Sequence, residues 1–394
     1  MRTSLDMARK TSFSRHRHVL LTLMYQIVCK ICCISCEFCR RRDKVASVNF
    51  SSQESFMDRR SFLKLAGLIP ATALFGCKGT DQEKSQDATK DEAKKSEPVA
   101  VRVATLKGPT AMGLVKFMSE VEAQNITDNN YSFEILDAPD QVVAKVAQGD
   151  VDVASIPANL AATLFNKTKG AYKVACLNVL NVLYIVETGS AISKLTDLKG
   201  KTLYASGKGA VPEYTLSYLL SKNGMTLGED VQVEWKSEHT ECVAALAQDP
   251  EGIALLPQPF VTVAQTKNSQ IRVAIDLGAE WEAVNPQSKL IAGVTIISSK
   301  LISDSPDAVT ALLSHYKDSV AFAVDHPDDA ATLVGKYGIV PEPIAKVALP
   351  KCNITYIDGA DMKSALSSYL GILAEANSQA VGGQVPGDDF YFGA

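Results

Sequence analysis

Val99-Ala100-Val101-Arg102-Val103-Ala104-Thr105-Leu106-Lys107-Gly108-Pro109-Thr110 decides how the chain folds. Val99 to Leu106 is a β-branched run, the composition of a strand. It ends at Gly108-Pro109, where a ladder cannot continue. Met112 to Val121 follows with helical periodicity. The same alternation continues downstream. Phe133 to Leu136 reads as a strand, Asp140 to Gln148 as a helix, Val151 to Ser155 as a strand and Pro157 to Phe165 as a helix with proline near its start. Val174 to Leu177 and Leu183 to Glu187 read as strands. Thr202 to Ala205, Val231 to Trp235, Ile253 to Leu256 and Arg272 to Leu277 repeat the pattern, with helices over Pro212 to Asn223, Glu238 to Gln248 and Phe260 to Lys267. Leu290 to Ser298 is a last strand. The remainder is mainly helical, with strong periodicity across Ala308 to Val324 and Met362 to Leu373. Strands alternating with helices of this length imply an α/β body with mostly parallel sheets.

A body running from residue 99 to residue 394 is large for one sheet, so two lobes are expected. Residues 99-186 and 290-394 form the first, residues 187-289 the second.

The segments before this body read differently. Residues 57-76 begin Met57-Asp58-Arg59-Arg60 and continue into an apolar stretch from Leu65 to Gly76, too short to span a membrane. Leu74-Phe75-Gly76-Cys77 resembles a bacterial lipobox. Arg59-Arg60-Ser61-Phe62-Leu63-Lys64 resembles a twin-arginine signal. The expectation is export, lipidation of Cys77 and work at the extracytoplasmic face of the cell membrane. Residues 77-98 contain a run without large apolar side chains and read as a flexible tether. Residues 1-56 read as an upstream extension from a misassigned start. They hold Cys29, Cys32, Cys33, Cys36 and Cys39, but two of these are adjacent, the run is apolar and no second ligand pair follows, so no metal site is expected.

Charge narrows the partners. The chain holds 40 Lys+Arg and 44 Asp+Glu, of which 13 and 5 lie before Cys77, leaving 27 against 39 and a net of −12. Such a surface does not suit nucleic acid. Two arginines remain, Arg102 and Arg272, each inside a β-branched strand pattern. Cys176, Cys242 and Cys352 are far apart and read as buried thiols. His239, His315 and His326 do not cluster at metal-ligand spacing. Neither a cofactor nor a catalytic set is expected: there is no Gly-x-Ser-x-Gly elbow and no evident nucleophile–base spacing.

Local motifs add a resemblance. Gly149-Asp150-Val151-Asp152-Val153-Ala154 resembles a "G-x-x-D-hydrophobic-A" strand, and Leu195-Thr196-Asp197-Leu198-Lys199-Gly200-Lys201-Thr202 resembles a "dLKGKt" segment opening a second lobe. With the element order and the export signal, the chain resembles solute-binding proteins of ABC importers. The branch it resembles is the sulfonate/nitrate/taurine and thiamine-pyrimidine group. Leu256-Pro257-Gln258-Pro259-Phe260 departs from that group in carrying glutamine where glutamate is frequent. The resemblance implies a two-lobed periplasmic-binding-protein type II fold, with an ABC permease and ATPase as partners and a single copy of the chain at work.

In open α/β sheets, ligands sit outside the carboxyl ends of strands, where helix N-termini present free N–H groups. The candidates are therefore strand ends. Lys107, Gly108 and Thr110 follow the first strand. Asn159 follows the third, either pointing into a cleft or solvating a helix start. Asn181 lies at the first crossing between lobes. Gly207, Lys208 and Gly209 precede a helix begun at Pro212, a cradle for an anion or a carbonyl. Glu238 stands in the polar cluster Ser237-Glu238-His239-Thr240-Glu241. Gln258 and Phe260 close the set, with Phe260 able to stack on a planar ligand. Neither arginine is placed to fork a carboxylate, so the expected solute is a heterocycle such as a thiamine-precursor pyrimidine, with a small oxyanion or sulfonate as the second choice. The rival reading is an enzyme on the same two-lobed fold, of the menaquinone-pathway or pyrimidine-synthase kind.

Overall fold

The computed structural model describes residues 97–394. Residues 57–76, read above as an export signal, Cys77, and the residues up to 96, read above as a tether, lie outside the described residues.

The strands are β1 Ala100–Leu106, β2 Asn130–Leu136, β3 Val153–Pro157, β4 Tyr172–Leu180, β5 Leu183–Thr188, β6 Thr202–Ser206, β7 Gln232–Lys236, β8 Ile253–Pro257, β9 Ile271–Asp276, β10 Ile291–Ser298 and β11 Ile354–Ile357. The helices between them are α1 Pro109–Met112, α2 Val115–Glu122, α3 Pro139–Gln148, α4 Ala158–Thr168, α5 Val211–Lys222, α6 His239–Gln248, α7 Phe260–Lys267 and α8 Leu277–Val284. After β10 come α9 Ser299–Asp304, α10 Pro306–Asp325, α11 Pro327–Lys336, α12 Glu342–Ala348 and, beyond β11, α13 Gly359–Ala376.

Two sheets form two lobes, ordered β11-β4-β10-β3-β1-β2 and β7-β6-β8-β5-β9. The pairings are mixed, and the reason is the crossing between lobes. β1 pairs parallel with β2 and β3, and β6 pairs parallel with β7 and β8. β10 lies antiparallel between β3 and β4, and β5 lies antiparallel between β8 and β9. In each sheet four strands therefore run one way, and the strand arriving from the other lobe runs against them. β11, a short edge strand, is also reversed. Since β5 belongs wholly to the second sheet, that lobe begins at Leu183, four residues before the boundary placed at residue 187 from the sequence.

Both crossings are at the cleft ends of the strands. Asn181 holds them together. Its backbone has φ 40°. Its N–H donates to Leu290 O at 3.0 Å, its Oδ1 accepts from Leu290 N–H at 3.1 Å, and its Nδ2 donates to Glu282 at 2.7 Å. Asn353 Nδ2 donates to Asn181 O at 2.7 Å. A Cβ on Gly278 would lie 2.8 Å from Asn181 Cβ, so glycine there lets the two crossings close up.

The largest apolar core is continuous across the lobes. It joins Ile156, Leu177 and Val294 of the first sheet to Leu203, Leu255 and Ile275 of the second. Tyr218, Trp281 and Tyr369 bind it at the rear, with ring centroids 4.9 and 5.1 Å apart. Trp281 is fully buried and comes from α8, which Asp276 starts by accepting from Gly278 and Ala279 N–H.

The two arginines are structural. Arg102 forks Asp152 with two contacts of 2.9 Å and donates to Gly149 O at 3.0 Å, tying β1 to the turn before β3. Burial raises the Asp152 pKa, but its hydrogen bonds from Arg102 outweigh this and hold it below the usual range. This accounts for the aspartate of the G-x-x-D motif, at the end of the strands away from the cleft. Arg272 pairs with the buried Glu187, whose carboxylate also accepts from Ala191 and Ile192 N–H. Cys176, Cys242 and Cys352 are free and buried, and burial raises all three thiol pKa values, Cys176 to about 12 and Cys242 to about 11.

Candidate functional site

The strand ends of both sheets meet at one cleft. From the first lobe it is lined by Leu106 and Lys107 at the end of β1, Pro157 of β3, Val179 of β4 and Ala292 of β10. Val182, Leu183 and Pro257 join them from the crossing and second sheet, with Val211 and Pro212 from α5, His239 from α6 and Phe260 from α7. Pro109 and Thr110 supply the first turn of α1. The space between these residues is about 70 Å³. Small-molecule sites usually hold ~300–1,000 Å³, so a solute has to part the lobes to enter. A neighbouring depression of about 380 Å³ shares Lys107 and Phe260, and adds Thr240, Val263, Ile339 and Pro341.

Several candidates from the sequence lie in this cleft. Gly108 has φ 131° and ψ −149°, a conformation open to glycine almost alone, and a Cβ placed on it would lie 3.9 Å from the Phe260 ring. Thr110 spends its hydroxyl proton on Leu106 O at 2.6 Å, so it turns a lone pair, not a donor, to any partner. Lys107 reaches the cleft but pairs with Asp137 at 3.1 Å. Phe260 is 4% exposed and forms the wall shared by the two depressions.

Other candidates have structural work instead. Asn181 is used in full by the crossings described above. Asn159 is 0% exposed. Its Nδ2 donates across the lobes to Gly209 O at 3.1 Å and to Ala380 O at 3.2 Å, while its Oδ1 is buried without a partner. Gly207 and Gly209 have φ 80° and 76° and shape the turn before α5. The Gly209 N–H donates to Glu213 at 2.5 Å, so this chain's own carboxylate takes one N–H of the expected anion cradle. Lys208 points elsewhere and lines a separate depression with Glu213, Tyr214 and Trp235. Glu238 accepts from Thr240 Oγ1 at 2.8 Å and Glu241 from Ser237 N–H at 2.9 Å, so the polar cluster before α6 is largely a helix start. Gln258 is buried, its Oε1 accepting from Thr262 Oγ1 at 2.8 Å beside the cleft.

His239 is the cleft residue that the sequence reading passed over, although it stands inside the quoted polar cluster. Its Nδ1 is 2.7 Å from Ser206 Oγ, and its ring leans on Phe260 with centroids 4.9 Å apart. Burial pushes its pKa down to about 4. Among the described residues Nε2 has no hydrogen-bond partner, and the residue lines the cleft.

A family model described as NMT1/THI5 like matches residues 128–330, just over half of the chain. The chain belongs to the NMT1/THI5-like family. The matched stretch runs from just before β2 into α11 and so contains both crossings and the whole second sheet of this NMT1/THI5-like chain. Among solved structures it is similar to an ABC transporter from Parabacteroides distasonis, with TM-score 0.61 and 20% identity over 74% of this chain and 98% of that one. It is also similar to the alkanesulfonate-binding protein SsuA from Xanthomonas axonopodis pv. citri bound to MOPS, with TM-score 0.59 and 15% identity over 74% and 96%. The periplasmic aliphatic sulphonate binding protein SsuA from Escherichia coli follows, with TM-score 0.57 and 16% identity over 71% and 88%. At such identities the likeness establishes the fold: two lobes of the periplasmic-binding type II kind. No curated protein matches the chain. No helix among the described residues is long and apolar enough to cross a membrane.

Proposed function

We propose that this chain is the solute-binding component of an ABC importer. Cys77 carries a lipid that holds it to the extracytoplasmic face of the cell membrane. The lobes capture a small solute and deliver it unchanged to a permease driven by an ATPase. One observation carries the reading: the strand ends of two sheets converge on a single cleft, between lobes joined through the crossings at Asn181 and Leu290 and a shared rear core. The family match and the solute-binding proteins among the structural neighbours support it.

The mechanism follows from the geometry. A solute between the lobes makes its full set of contacts only when they close, so its binding free energy shifts the population toward closure. Lys107, Gly108, Thr110 and Phe260 form the contact wall, with Asn159, Gly207, Gly209 and Gln258 holding the surrounding backbone. Ser206 with His239 is the nearest thing to a nucleophile–base pair. Ser206 is 3% exposed and, among the described residues, no carboxylate hydrogen-bonds the ring, so the serine positions the imidazole and gives no support to an enzyme reading. Calorimetry and small-angle scattering on the full chain with small-molecule mixtures test the proposal. Binding accompanied by compaction is expected; tight binding with an unchanged radius of gyration, or conversion of the bound molecule, sinks it. Mass spectrometry of the membrane fraction tests the anchor, with a diacylated Cys77 as the expected N-terminus.

A further inference from the structure

The turn at residues 207–209 serves two depressions. Val211 and Pro212, just beyond it, line the cleft, whereas Lys208 lines a separate groove of about 280 Å³. That is close to the lower bound of about 300 Å³ for small-molecule sites. The groove runs beside β7, the edge strand of the second sheet, where Val233 and Trp235 share one face. Tyr214 and Ser217 of α5 join them, and so does Asn377, which follows α13. Trp235 and Tyr214 pack against the shared core and still reach the groove. The polar side chains around these rings carry no net charge, since Lys208 and Glu213 are the two charged groups in the lining. Among the described residues, the Lys208 ammonium, the Ser217 hydroxyl and the Asn377 Nδ2 have no hydrogen-bond partner; Asn377 uses its Oδ1, toward Gln379 N–H at 3.0 Å. Glu213 gives one oxygen to Gly209 N–H, and Gln232 gives its Nε2 to Gly228 O at 2.7 Å, which leaves an acceptor on each.

Donors and acceptors thus stand beside two aromatic rings. An anion here would meet Glu213 as well as Lys208. A wholly apolar molecule would cover the polar groups without pairing them, which costs more than leaving them in water. A neutral sugar answers both demands: its C–H face lies on an aromatic ring, and its hydroxyls donate and accept. We propose that this groove is a second binding site, distinct from the cleft, for a neutral saccharide, with one sugar ring stacked on Trp235 and its hydroxyls held by Ser217, Gln232 and Asn377. Asn377 belongs to the first lobe and the other contacts to the second, so the sugar bridges the two. The site stands whether or not the cleft captures a solute.

Trp235 and Trp281 are the two tryptophans of the chain, and Trp281 is fully buried. Acrylamide quenching of the full chain's emission therefore reports on Trp235. Maltotriose, cellotriose and chitotriose are added in turn, and at least one is expected to lower the quenching constant twofold or more, saturably. On the immobilised full chain, Trp235→Ala then weakens retention of that saccharide at least tenfold, and Asn377→Ala, at an exposed position, at least threefold. Circular dichroism checks that the variants fold, and Asn377→Ala carries the test if Trp235→Ala does not. Protection by none of the three saccharides, whether or not indole or benzenesulfonate protects, overturns the inference. Unchanged retention in Asn377→Ala overturns it as well.

Discussion

His239 and Ser206, 2.7 Å apart, show how a single side chain can be placed by a fold and yet be hard to see in a sequence. In Ser237-Glu238-His239-Thr240-Glu241 every residue is polar, and any could cap a helix. The turn of α6 decides the matter: Glu238 and Glu241 face its start, and His239 faces the cleft. The same limit applies to Lys208, whose position after β6 was legible while its outward direction was not. Gly108, Thr110 and Phe260 were easier, because a glycine–proline break and a lone aromatic at a strand end have few other uses. The buried imidazole also sets a pH dependence. Its pKa is about 4 in the folded chain against 6.5 when unconstrained, so between those values the unfolded state binds a proton that the folded state does not. Stability is therefore full above pH 6.5 and falls as pH drops toward 4; denaturant melts at a series of pH values should show a shallower fall in His239→Gln. Arg272→Met removes the half-exposed partner of the buried Glu187, which keeps its donors from Ala191 and Ile192, and should cost about 1–3 kcal/mol by urea unfolding.

At the scale of elements, the β-branched runs and the proline-started helices followed their sequence signals closely. β11 did not, because Ile354–Ile357 is short and its pairing with β4 is irregular. α8 was missed because Arg272 to Leu277 looked like the end of a lobe, although Asp276 before Gly278 is a capping signal. Two glycines test how tightly the elements under the cleft are fitted. A Cβ on Gly293 of β10 would lie 2.4 Å from Asn178 Oδ1 and 3.0 Å from Thr110 Cγ2. Gly293→Ala should therefore destabilise by about 1–3 kcal/mol and displace Thr110 from the cleft wall, weakening solute binding along with stability. Gly108→Ala meets only Phe260, at 3.9 Å, so its cost is that of the backbone conformation, again about 1–3 kcal/mol by equilibrium denaturation.

For the whole molecule, two lobes followed from length and alternation, while the place of the crossing did not. Leu183 to Glu187 reads as a strand in either lobe, and only its antiparallel insertion between β8 and β9 assigns it. The polarity of the crossings makes Asn181 a pivot, so Asn181→Ala, which frees Leu290 and Glu282, should broaden the distribution of lobe separations in scattering while leaving the sheets intact. The aromatic row Tyr218, Trp281 and Tyr369 has a different consequence. Neither half owns a finished interior: with residues 183–290 on their own, Trp281 loses Tyr369 and faces water. The protein should accordingly melt in one calorimetric peak, and the excised half should fail to fold by itself, however much the pair resembles two hands that open and shut.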